Sequence, residues 1–120
     1  MVFAIDVMHH VSNPRKMARE MMRVSSKYIF LIEANGICII RKVMERISKK
    51  YQAAGENSYK PWDYKSFFKG ANNFSIRPFL FMIPFTPKRL MKPVIWLSET
   101  MEKIPLLRWQ GSGVVMCGEV

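Results

Sequence analysis

Cysteine is nearly missing from this sequence: Cys38 and Cys117 are the two in 120 residues. They lie far apart in apolar runs, so they supply neither a disulfide framework nor a CxxC metal pair. A reducing, cytoplasmic setting is the expectation. Acidic residues are also scarce, nine Asp and Glu against 19 Lys and Arg, and the formal charge is +10. That balance admits nucleic acid, anionic lipid or an acidic partner and does not select among them. Long uninterrupted apolar runs are missing as well. A bilayer span needs about 20 mostly apolar residues. The run over residues 28–40 is broken by Glu33, Asn35 and Gly36, and residues 79–97 contain Pro84, Pro87, Lys88, Arg89, Lys92 and Pro93. The first residues show no charged lead, apolar stretch and small-residue cleavage site, so they do not read as a signal peptide. Neither internal repeats nor low-complexity segments occur.

What is present is a chain with 49% apolar and 23% charged residues, neither disordered nor collagen-like. One domain is expected, long enough to bury about 60–70% of its unfolded surface. Residues 2–8 (VFAIDVM) form a nearly continuous apolar run, the pattern of a parallel strand covered on both faces. A buried-looking strand that starts at residue 2 suggests that something is missing upstream.

After a loop at residues 9–12, Asn13-Pro14 predicts a helix start. Asn13 caps the first free amides, and Pro14 suits a position that needs no donor. Met17, Met21 and Val24 then mark the apolar stripe of a helix over residues 14–24. Residues 28–32 (YIFLI) predict a second strand, closing on a polar turn at residues 33–36 where Asn35-Gly36 favours positive φ. Strand, helix and strand with short links predict a parallel βαβ unit.

A second helix is expected over residues 37–52, with Ile37, Ile40, Val43 or Met44, and Ile47 on one face. Residues 56–73 predict loop with a short helix over 62–69. A strand follows at 74–82, placed by Pro78 at an edge or bulge. Residues 94–104 predict a helix, and residues 112–120 (SGVVMCGEV) a last strand. The Met-rich helix reads as core packing. Asp6 is costly inside an apolar strand unless partnered.

Ligands on such α/β sheets sit beyond the carboxyl ends of the strands. That makes the turns at 9–12 and 33–36 the candidate site. There the sequence resembles a known family. Val7-Met8-His9-His10-Val11, Pro14, Glu20-Met21-Met22-Arg23-Val24 and Glu33-Ala34-Asn35 are similar to a segment of class I S-adenosylmethionine-dependent methyltransferases, in the small-molecule branch. Ala34 stands where that family commonly has proline. The likeness covers residues 2–36 best and implies strands 4 to 7 of a Rossmann-like methyltransferase sheet, with flanking helices and a lid-like insertion. It also implies that the last strand is inserted antiparallel.

The family's Gly-rich turn after its first strand, which lets backbone approach the cofactor, has no counterpart here. The pair Gly111 and Gly113 precedes a strand instead. The resemblance is therefore to a C-terminal half. It divides the chain into a βαβα core at 1–55, a lid-like insertion with an edge strand at 56–111, and a terminal strand at 112–120, in one partial domain.

The resemblance implies that His9 lies beside the transferable methyl and accepts a proton from the acceptor. Ala4 and Ile5 would border the cofactor, and His10, Glu33 and Tyr59 the substrate. Each has a plainer alternative: loop-fixing for the histidines, a turn for Glu33, strand core for Ala4 and Ile5. No metal is implied. The implied cofactor is S-adenosylmethionine, bound weakly or not at all by this chain alone. The implied reaction is methyl transfer to a small, apolar acceptor, inactive without the missing N-terminal half.

Two alternatives stand beside it. One is a non-catalytic remnant that binds a partner, either that half or itself, through an open sheet edge. The other is a basic module for nucleic acid or a membrane surface. The interleaved Tyr59, Lys60, Trp62, Tyr64, Lys65, Phe67, Phe68 and Lys69 fit base stacking but lack a recognised RNA-binding signature. Peripheral membrane contact by Lys88, Arg89 and Lys92 beside the apolar residues 79–85 is a further expectation.

Overall fold

The computed structural model describes residues 1–55, 57–79 and 86–120. Four strands, β1 (Val2–Ile5), β2 (Tyr28–Ala34), β3 (Asn72–Phe79) and β4 (Gly113–Glu119), form one sheet in the order β1-β2-β4-β3. β1 and β2 are parallel, with Phe3 opposite Phe30 and Ile5 opposite Ile32. β4 lies between β2 and β3 and is antiparallel to both. The chain is thus α/β with a mixed sheet, and its last strand is inserted antiparallel as the resemblance implied.

Helix α1 (Pro14–Val24) starts as expected. Asn13 Oδ1 accepts from the Lys16 amide at 2.9 Å, and Pro14 occupies the first turn. Its stripe buries Ala18 and Met21, while Val24 is left exposed. β1 is shorter than the apolar run, because Asp6 turns the chain at φ 50°. The expected second helix is broken at Ser48 (φ −86°, ψ 115°) into α2 (Ile39–Ile47) and α3 (Lys49–Ala53). The apolar stripe of α2 is not buried: Ile39 is 66% exposed and Ile47 69%. Helix α4 (Pro61–Phe67) matches the short helix expected near Trp62, and α5 (Met91–Lys103) starts three residues earlier than expected. β3 is an edge strand, with its register shift and a positive φ at Asn73 rather than at Pro78. Residues 80–82 of the expected strand, and the apolar stretch through 85, lie outside the described residues.

Side chains alternate across a strand, and the two sheet faces differ. One face carries Ala4, Ile29, Leu31, Val114 and Met116, all buried in a core with Ala18 and Met21 of α1 and Tyr64 of α4. Phe68, just past α4, joins them. The segment expected as a lid therefore contributes two of the largest buried side chains. The other face carries Phe3 and Ile5, at 65% and 50% exposure, beside half-buried Phe30, Ile32 and Val115.

Glu45 ties α2 to the segment before α4. Its carboxylate accepts from Lys42 Nζ at 2.8 Å and from Ser58 Oγ at 2.6 Å. Burial pushes the Glu45 carboxyl up, but those bonds and the Lys42 charge outweigh it and hold it below the usual range.

The one-sided core predicts that Leu31→Ala costs about 2–5 kcal/mol of unfolding free energy, whereas Phe3→Ala costs less than about 1. Urea titration followed by circular dichroism measures both. Glu45 ionises more readily folded than unfolded, so its stabilisation is whole above the ordinary glutamate value, about pH 4.3. It is lost as pH falls through the lowered value. Between pH 6 and pH 3 the urea midpoint of Glu45→Gln should fall less than that of the parent chain.

Candidate functional site

Parallel pairing brings the carboxyl ends of β1 and β2 together. The Asp6 amide donates to the Ile32 carbonyl at 2.9 Å, and the left-handed turn at Asp6 then sends the chain back over β2. There Glu33 collects it. Glu33 Oε1 accepts from the amides of Val7 at 3.0 Å and Met8 at 2.7 Å. Those bonds hold the chain as a single 3-10 turn at Met8–His10 instead of a longer strand.

Glu33 Oε2 meets His9 Nδ1 at 2.7 Å. Both side chains are almost fully buried, at 0% and 1% exposure. A carboxylate only accepts, so Nδ1 is assigned the proton, and Nε2 is the ring nitrogen able to take another. The two sequence candidates His9 and Glu33 therefore form one unit, with both carboxylate oxygens turned inward onto the loop and ring. Burying such a group is unfavourable unless its hydrogen bonds are filled, and here they are.

His10 is exposed, with its ring centroid 4.1 Å from that of His9. Ala4 is buried in the sheet core and Ile5 is half exposed at the strand end. Asp6, His9 and Glu33 bring one potential ligand atom each to within 4.8 Å of one another.

Asn35 does more than its turn reading suggests. Its Oδ1 accepts from the Ile37 amide at 3.2 Å, an Asx-type turn. Its Nδ2 donates to the carbonyls of Trp109 at 2.8 Å and Gly111 at 2.7 Å. The expected positive φ at Asn35-Gly36 does not occur. Gly36 is required for closeness instead, since a Cβ there would stand 2.5 Å from the Tyr59 carbonyl oxygen. That carbonyl accepts from the Gly36 amide at 2.8 Å, which sets Tyr59 beside the end of β2. Tyr59 is half-buried, edge-on to Tyr64 and Phe67.

Tyr64, one of the interleaved aromatics that fit base stacking, is instead buried in the core. Its hydroxyl donates to the Ala34 carbonyl at 3.0 Å, next to Glu33. Burial, and then the charge of Glu33, push its phenol well above the ordinary tyrosine range. The signal that could have found it is the spacing of Pro61, Tyr64 and Phe68, one face of a helix. The described glycines form no open cradle at this end. Gly111 approaches the Phe79 carbonyl oxygen to 2.6 Å at its Cβ position, and the ring of Phe79 lies over Gly113 at 2.7 Å.

No family model and no curated protein matches the chain. Among solved structures, it is similar to a SAM-dependent methyltransferase from Archaeoglobus fulgidus, with a TM-score of 0.60 and 10% sequence identity. The likeness covers 98% of this chain and 57% of that one. It shows a methyltransferase-like fold, and this chain spans little more than half the length of that protein. Among the described residues, no helix is long and apolar enough to cross a membrane.

Removing the carboxylate should release the loop. Glu33→Ala is expected to cost about 3–5 kcal/mol in urea titration, the range for breaking a buried polar pair. Amide exchange at Val7 and Met8 should accelerate more in Glu33→Ala than in His9→Ala, because those amides bond to Glu33 itself.

Proposed function

We propose that this chain is the C-terminal portion, strands 4 to 7, of a SAM-dependent methyltransferase acting on a small, apolar acceptor. One observation carries the reading: a methyltransferase-like sheet whose carboxyl end holds a buried His9–Glu33 pair at 2.7 Å. The same sheet leaves β1 at an edge and its Phe3 and Ile5 exposed, which supports a partner that completes it, either an N-terminal methyltransferase half or a second copy.

S-adenosylmethionine does not fit the residues present as its main holder. The close-approach glycines are filled by backbone or rings of this chain, and the family's Gly-rich turn has no counterpart. In this reading Ile5 and Ala4 border the cofactor, and the 50% exposure of Ile5 at the strand end supports that role. The chain's own contribution is positioning. Glu33 fixes the orientation of His9, and His9 is the residue that accepts a proton from the acceptor in the complete site. His10 and Tyr59 flank that end of the sheet and contact the acceptor. The exposed edge and face also support a non-catalytic reading, in which the chain only binds a partner there.

Calorimetric titration separates these readings. Residues 1–120 are expected to bind S-adenosylmethionine weakly or not at all. A longer protein translated in frame from ahead of Met1, if it adds a strand and a Gly-rich turn, should bind it and consume it with an acceptor. Micromolar binding by residues 1–120 alone would show that the cofactor site is whole without further strands. Binding by the longer protein with no turnover on any small apolar acceptor would favour the non-catalytic reading.

A further inference from the structure

We propose that the groove between α4 and β3 binds a small amphipathic anion, an apolar body ending in one anionic group. The groove is open to solvent, has a volume of about 480 Å³ and is lined by Ile37, Trp62, Lys65, Phe74, Ile76 and Trp109. That volume falls in the range of ligand pockets, about 300–1,000 Å³.

Its walls are built rather than incidental. Asn35 bonds both the Ile37 amide and the Trp109 carbonyl, so one buried side chain sets the spacing of two walls. Asn35 itself is fully buried. Phe74 and Ile76 form the floor from β3 and are only half-buried, and Trp62 is 58% exposed. Apolar surface held open in a concave place is the feature of a site that a ligand completes.

The charge of the ligand follows from the lining. Among the described residues, Lys65 is the one ionisable group of the lining, and no carboxylate pairs with it. A second cation stands close by, with Lys60 Nζ 5.5 Å from the centre of the Trp62 ring. A chain of formal charge +10 adds a positive field. A cationic ligand meets repulsion there, and a neutral one leaves Lys65 unused. Binding in this groove is separate from methyl transfer, because it needs neither a methyl donor nor the His9–Glu33 pair.

The test titrates decanoate, 1-decanol and decyltrimethylammonium, each below its aggregation limit, into residues 1–120 without any methyl donor. The indole N–H resonances of Trp62 and Trp109 report the groove, and Trp96 on α5 serves as the internal reference. Decanoate is expected to bind most tightly and to shift Trp62 and Trp109 but not Trp96. Lys65→Met should weaken decanoate about two- to fivefold, the range of an exposed ion pair, and leave decanol unchanged. Phe3→Ser, on the opposite sheet face, should change neither. Equal binding of all three ligands, no binding of any, shifts concentrated at Trp96, or loss of binding in Phe3→Ser would overturn the proposal.

Discussion

Glu33 is a fully buried carboxylate, and the local architecture follows from the need to satisfy it. Left without partners, such a group would cost several kcal/mol. Three bonds fill it: two backbone amides from the turn after β1 and the ring of His9. The strand after Ile5 therefore ends, the chain curls into a single 3-10 turn, and His9 is drawn inward. Tyr64, whose hydroxyl holds the Ala34 carbonyl beside it, brings α4 onto the same end of the sheet. Asn35 then fastens the segment around Trp109 and Gly111. Three consecutive residues, Glu33, Ala34 and Asn35, thus link strand, helix and C-terminal segment.

The second constraint is asymmetry. The sheet has a complete core on one face, where Leu31, Met116 and Tyr64 are shielded from solvent. Its other face keeps aromatic and branched side chains that a parallel strand ordinarily buries on both sides. The exposed stripe of α2 follows the same logic, since Ile39 and Ile47 are apolar without burial here. These surfaces and the open edge of β1 are unfavourable in water, and they give physical content to the proposal that the sheet is completed by further strands.

Much of the framework was legible in residues. Asn13-Pro14 announced α1, the apolar strand runs announced β1, β2 and β4, and Pro78 marked an edge strand. The likeness over residues 2–36 pointed to the fold that the comparison with a solved methyltransferase shows. The misreadings have local causes. The stripe from Ile37 to Ile47 has helical spacing, but spacing does not say whether a helix face meets a core. Asn35-Gly36 has turn composition, yet its glycine serves a close backbone approach instead of a positive φ. Tyr64 lies in the short helix that the sequence predicts, but spacing along a helix does not say that its hydroxyl meets the Ala34 carbonyl.

By itself the sequence determined the order of helices and strands, the α/β class and the placing of His9 and Glu33 near the carboxyl ends of β1 and β2. Those features depend on local propensity and on periodicity along the chain. Only the tertiary structure decided that His9 and Glu33 touch, that Asn35 reaches residues more than 70 positions away, and that one sheet face stays open. Each of these depends on which strands lie side by side. A sequence records that pairing only indirectly, because any apolar strand can satisfy its backbone against several neighbours.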